Sequence, residues 1–157
     1  MPLCVRCTAP HVALCARGVS VQGRDNISND RATIIVANHQ SVLDAFLFAM
    51  LGHVNFKVVV KDSIRFYPGV GQCFMLAKHV TVKRGNKESG KRAMAASEDW
   101  VKRGVSVLFF PEGTRKVAGV LGDFKKGAFY VSWRVNAATW ARGCAALTRV
   151  RAWLVVT

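Results

Sequence analysis

Two short segments carry residues able to do chemistry together. Asn38-His39-Gln40-Ser41-Val42-Leu43-Asp44 directly follows the apolar run Thr33–Ala37, and Phe110-Pro111-Glu112-Gly113-Thr114-Arg115 follows a second apolar run, Val105–Phe109. A histidine can take a proton near neutrality, since an imidazole ordinarily titrates near ~6.5. Asp44 can accept the imidazole N–H, fix the tautomer and leave the other ring nitrogen as base. Asp44 also admits a structural reading, because Ser41-x-x-Asp44 resembles a capping box and a first-turn carboxylate suits the helix dipole. In the second segment, Pro111 and Gly113 break the strand and expose N–H groups to an anion. Arg115 offers the planar fork that suits phosphate oxygens, while Glu112 can orient that arginine or hold a substrate hydroxyl. An ordinary Pro-Gly turn with a surface Glu–Arg pair is the simpler alternative. Base and anion clamp together suit acyl transfer, in which a deprotonated hydroxyl attacks a carbonyl.

The spacing constrains how His39 and Asp44 can meet. Five residues apart on one continuous helix, their side chains would point about 140° apart. The pair works if His39 lies in the strand-to-helix turn, Ser41 caps the helix and Asp44 sits at its third position. There is no G-x-S-x-G nucleophile elbow in the chain, and nothing near Cys73 marks it as activated. Attack by a substrate hydroxyl, deprotonated by His39, needs the fewest assumptions. Arg84, in a basic run ending at Lys87, and Lys125-Lys126 read either as solvated charges or as attractors of phosphate.

The elements that must hold these residues alternate. Strands are expected at Val19–Gln22, Thr33–Ala37, Phe56–Val60, His79–Val82 and Val105–Phe110. Helices are expected at Ser41–Leu51 and Lys87–Lys102, with another starting within Phe124–Val131. Asp62–Ala77, interrupted by Pro68-Gly69 and Gly71, reads as a broken helix and loop. In Lys87–Lys102 the expected inner face is Ala93, Ala96 and Trp100, with Met94 and Val101 beside it. This order predicts an α/β layered domain with a mixed, largely parallel sheet flanked by helices. Residues 1–18 read as an N-terminal segment, truncated relative to longer chains, 19–131 as the domain, and 132–157 as an atypical basic tail rich in Trp, Arg and Ala.

Composition narrows the partners. With 23 Lys and Arg against 9 Asp and Glu, a formal net charge of +14 favours an acidic membrane surface, nucleic acid or phosphorylated substrates. Half the 157 residues are hydrophobic, which argues against disorder. The chain contains no apolar run near the roughly 18 residues of a spanning helix, and the N-terminus does not read as a signal peptide. The five cysteines, with a lone Cys4-x-x-Cys7, fit reduced thiols better than zinc. No aromatic-basic RNA-binding motif is present, so nucleic acid is not expected.

Taken together, these residues resemble the glycerolipid acyltransferase family, specifically the 1-acyl-sn-glycerol-3-phosphate acyltransferases. Asn38, His39, Ser41 and Asp44 complete that family's N-H-x-S-x-x-D block, and Phe110–Arg115 complete its F-P-E-G-T-R block. Arg84 matches the intervening arginine block, with Lys61, Pro68 and Gly71 in family-like order, and Asp123–Ala128 resembles the family's segment after the F-P-E-G-T-R block. The likeness runs from about Val19 to Val131. It implies that His39 is the general base with Asp44 as partner. It also implies that Arg84, Glu112, Gly113, Thr114 and Arg115 bind the glycerol phosphate. The implied reaction joins lysophosphatidate and acyl-CoA into phosphatidate for phospholipid biosynthesis, with no metal, no cofactor and no covalent enzyme intermediate. It would take place at a membrane face such as the endoplasmic reticulum or another cytosolic membrane face. A lysophospholipid of another head group, or lipid binding without chemistry, are the alternatives. Three departures stand out. Lys78 and Lys83 occupy places where the family usually has glycine and an acidic or polar residue. The family's final Val-Pro-rich strand block is replaced by the unusual tail. The membrane helices common upstream of the first block are missing.

Overall fold

The computed structural model describes residues 3–5, 19–22, 31–37, 39, 44, 55–114, 123–136, 139–141 and 155–156. Strands Ile34–Val36 (β3), Phe56–Lys61 (β4), Val80–Val82 (β5), Ser106–Phe109 (β6) and Thr139–Ala141 (β7) form one sheet in the order β5-β4-β6-β3-β7. Among the described residues every pairing in it is parallel, in keeping with the largely parallel sheet expected. Leu3–Val5 (β1), Val19–Gln22 (β2) and Val155–Val156 (β8) form a separate antiparallel sheet. Val19–Gln22 is thus a strand as expected, but in a different sheet.

The central strands are apolar without alternation because both faces are covered, as parallel sheets require. All of β3 and all of β6 are buried. Ile34 and Val36, with Val107 and Phe109, face the helices Lys87–Lys102 (α2) and Gly127–Val135 (α3), where they join Val101, Ala128 and Val131 in one core cluster. Asn86 starts α2 by accepting the Ser89 N–H at 2.8 Å, a side-chain cap of the usual kind.

The inner face of α2 differs from expectation. Ala93, Ser97, Glu98 and Val101 are buried, whereas Ala96 is exposed. Ser97 tolerates burial because its hydroxyl donates to the Ala93 carbonyl at 2.8 Å. Glu98 meets Arg134 of α3 at 3.1 Å. Asp62–Ala77 does break: a 3-10 turn, Asp62–Phe66, leads through Pro68-Gly69 into a short helix, Val70–Leu76 (α1). The domain boundary expected after residue 131 falls inside α3. Because β7 pairs with β3, the altered C-terminal segment still supplies a strand at that edge of the sheet. The expected helix Ser41–Leu51 lies outside the described residues except for Asp44, which is helical.

Lys78 has a left-handed backbone, with φ at 52°. A side chain there costs on the order of 1 kcal/mol that glycine avoids. Lys78→Gly is therefore expected to stabilise the fold by about 0.5–1 kcal/mol, a rise of roughly 2–4 °C in melting temperature. An unchanged or lower midpoint on thermal unfolding would count against the strain.

His79 is fixed beside it. Its Nδ1 accepts the Val58 N–H at 3.1 Å, and its ring lies 4.7 Å from that of Phe74. Burial, and then the nearby Lys57 ammonium, lower its pKa from 6.5 to about 4. The ring stays neutral in the fold while the unfolded chain takes up a proton below about 6.5. Its contribution is intact above about 6.5 and is lost as pH falls toward about 4, by on the order of 2 kcal/mol after allowing for partial exposure. In urea titrations across that range His79→Leu should flatten the acid loss, and an equally steep loss in the variant would exclude His79 as its source.

Candidate active site

Parallel pairing brings the carboxyl ends of β3, β4, β5 and β6 to one edge, where open α/β sheets generally place ligands. The register sets Val36 opposite Phe109, and the Ala37 N–H donates to the Phe109 carbonyl at 3.1 Å. The two chemical segments therefore leave the sheet side by side. His39 and Phe110 stack with centroids 4.3 Å apart and planes inclined at 26°. The expected contact is present: His39 Nδ1 lies 2.9 Å from Asp44 Oδ2. Their side chains are 20% and 15% exposed, shielded enough to strengthen the attraction but still reachable from solvent. A carboxylate on Nδ1 assigns the proton to that nitrogen and leaves Nε2 as the available base.

Glu112 makes a contact that the sequence did not point to. It is buried, 6% exposed, and Oε1 accepts the backbone N–H of His39 at 3.2 Å. Its carboxylate therefore holds the backbone that carries the His39 imidazole. The turn after β6 is also tighter than expected. Gly113 has φ of 66°, and its N–H donates to the Phe110 carbonyl at 3.0 Å, so that group is committed within the turn and not offered to an anion. The Pro111 carbonyl accepts the Lys125 N–H at 2.9 Å. An added Cβ at Gly113 would meet Lys125 Nζ at 2.7 Å, so the missing side chain makes room for the ammonium.

His39 and the turn after β6 border one cavity of about 810 Å³, large enough for a substantial organic ligand. His39, Gly113 and Thr114 line it together with the cations Lys61, Lys83, Arg84 and Lys125. Much of the rest of its wall is apolar, including Ile64, Val70, Phe74 and Met94. Positive and apolar surfaces thus share one space, as a ligand with an anionic head and a hydrocarbon part requires. Arg84 comes from the turn after β5 and is exposed. Lys126 is exposed too, and Cys73 lies exposed on α1. Asn38, Ser41 and Arg115 lie outside the described residues. Sequence reasoning missed the ring of Phe110 against the base and the apolar wall from Asp62–Leu76. The run of large apolar residues in that broken segment was the available signal.

A family model described as Acyltransferase matches residues 18–139. The chain is 37% identical over 121 residues to the chloroplastic 1-acyl-sn-glycerol-3-phosphate acyltransferase of Arabidopsis thaliana, covering 76% of this chain and 34% of that protein. It is 31% identical over 117 residues to the 1-acyl-sn-glycerol-3-phosphate acyltransferase of Saccharomyces cerevisiae, covering 73% of this chain and 38% of that protein. Among solved structures, the 1-acyl-sn-glycerophosphate acyltransferase PlsC of Thermotoga maritima superposes with a TM-score of 0.59 at 31% identity. That match covers 75% of this chain and 46% of the other. The chain spans about a third of the length of the curated relatives it matches.

Proposed function

The chain belongs to the acyltransferase family, and from that premise we propose that it moves a fatty acyl group from acyl-CoA to the free hydroxyl of 1-acylglycerol-3-phosphate. The observation that carries the reading is the His39–Asp44 pair, at 2.9 Å, with His39 on a cavity lined by both cations and apolar side chains. Lys61, Arg84 and Lys125 suit the acceptor's phosphate, and the apolar wall suits its acyl chain. The matched relatives are named for this acceptor; acyl-CoA as donor is implied by the sequence motifs.

In the proposed step, His39 Nε2 takes the proton of the acceptor hydroxyl as its oxygen attacks the thioester carbonyl. The C–O bond forms, the tetrahedral intermediate collapses and the C–S bond breaks. The proton on Nε2 passes to the departing sulfur, giving phosphatidate and CoA. Asp44 stabilises the imidazolium formed in between. The scheme asks no metal, cofactor or enzyme nucleophile to take part. No helix among the described residues is long and apolar enough to cross a membrane. For location we propose a membrane face. The endoplasmic reticulum is the expectation from sequence, whereas the Arabidopsis thaliana and Brassica napus relatives are named as chloroplastic.

The test is transfer from radiolabelled acyl-CoA to lysophosphatidate, followed as labelled phosphatidate. Product that depends on both lysophosphatidate and an intact His39 is the expected outcome. A folded chain that releases CoA without acylating the acceptor would overturn the assignment.

A further inference from the structure

The segment between β4 and β5 places large apolar side chains in water. Phe66 is 74% exposed and Leu76 82%, with Tyr67 and Met75 also exposed. Local packing keeps them there. Gly71 lies so close to the 3-10 turn that an added Cβ would meet the Ile64 carbonyl oxygen at 2.5 Å, and the Gly71 N–H donates to the Tyr67 carbonyl at 2.8 Å. This close approach locks α1 onto the 3-10 turn, so the apolar groups are held outward and do not fold inward. Several large apolar side chains held exposed on one short, locally packed segment mark a contact site.

Charge identifies the partner. Residues 55–84 contain six Lys and Arg and one acid, Asp62. Asp62 is paired with Arg65 at 2.9 Å, and the Arg65 guanidinium lies 5.0 Å from the Phe66 ring centroid. Lys61 and Lys78, at either end of the segment, are exposed. Exposed apolar groups with exposed cations in and at the ends of the same segment match the boundary between acyl chains and anionic head groups. The patch also adjoins the cavity: Tyr67 and Val70 are exposed and line it as well.

We propose that the exposed apolar face of Asp62–Leu76 docks the chain on an anionic lipid bilayer, with Phe66 and Leu76 entering the acyl-chain boundary. The patch then opens the cavity toward the bilayer, so a lipid acceptor passes along Tyr67 and Val70 without crossing bulk water. This second step rests on the acyl-transfer reading; the docking does not.

The probe is co-sedimentation with vesicles of phosphatidylcholine and phosphatidylglycerol, and with vesicles of phosphatidylcholine alone. The wild-type chain should bind the mixed vesicles more tightly. Phe66→Ser with Leu76→Ser, both at exposed positions, should weaken that binding about tenfold or more. Leu76→Trp should show a blue-shifted emission on adding the mixed vesicles. Equal binding by the double variant, or an unshifted Leu76→Trp emission, would overturn the proposal. So would self-association in solution that the double variant abolishes without any vesicle binding, which would assign the patch to a second copy of the chain. Activity separates the two readings. With monomeric short-chain lysophosphatidate the double variant should turn over like wild type, and with acceptor embedded in vesicles it should fall behind. Patch-dependent vesicle binding by a chain that makes no phosphatidate supports docking and rejects the acyl-transfer reading alone.

Discussion

Replacing His39 with alanine is expected to lower phosphatidate formation by ~10²–10⁴-fold, the range that a positioned general base contributes. The loss should fall on kcat, because the imidazole acts as the hydroxyl proton leaves, whereas Lys61, Arg84 and Lys125 remain to hold the phosphate. Asp44→Asn should behave differently. The amide keeps an oxygen that can accept the Nδ1 proton but loses the charge that stabilises the imidazolium, so a loss of about 10²-fold is expected. The largely shielded setting of the pair, at 20% and 15% exposure, makes that charge count for more than on an open surface. Thermal midpoints measured alongside distinguish chemistry from folding. Wild-type turnover in a folded His39→Ala variant would remove His39 from the mechanism.

The parts of this site that were legible in the sequence are those encoded locally. His39 and Asp44 are five residues apart, so their contact is local in the chain. Helix α2 was readable to its ends because Asn86 caps it and Gly104 follows at φ of 81°. Its inner face was not, since Ser97 and Glu98 are polar and buried. Ser97 is satisfied by its own helix, but Glu98 finds Arg134 on another helix, which no local pattern announces. Strand length set a second limit. The β2 partners are three residues and two residues long, too short to carry a periodic signal, so the antiparallel sheet was not foreseen. Lys78 shows the opposite case. Its departure from the family's glycine was visible in the sequence, and the left-handed backbone gives that departure its physical meaning. Furthest out of reach was the contact of Glu112 with His39, across 73 residues, which exists because β3 and β6 are neighbours.

That contact gives Glu112 a role that can be separated from substrate binding. Its carboxylate is buried and bonded to the His39 backbone, tying the turn after β6 to the turn that carries the base. Glu112→Ala removes the acceptor and leaves a part-buried N–H to find another partner, at a cost of about 1–3 kcal/mol. It also frees His39 to shift, and a displacement near ~1 Å at a reacting group can cost about 10²-fold. A fall in kcat of about 10–10²-fold is therefore expected, with KM for lysophosphatidate changing far less. Glu112→Gln is the discriminating variant. Its amide oxygen can still accept the His39 N–H, so a positioning role predicts recovery of most of the lost kcat and of the stability. A carboxylate that instead bound a substrate hydroxyl by its charge would leave Glu112→Gln nearly as impaired as alanine, with the damage in KM. Steady-state kinetics on both variants decide between the two, and a KM-dominated loss shared by both would return Glu112 to the substrate.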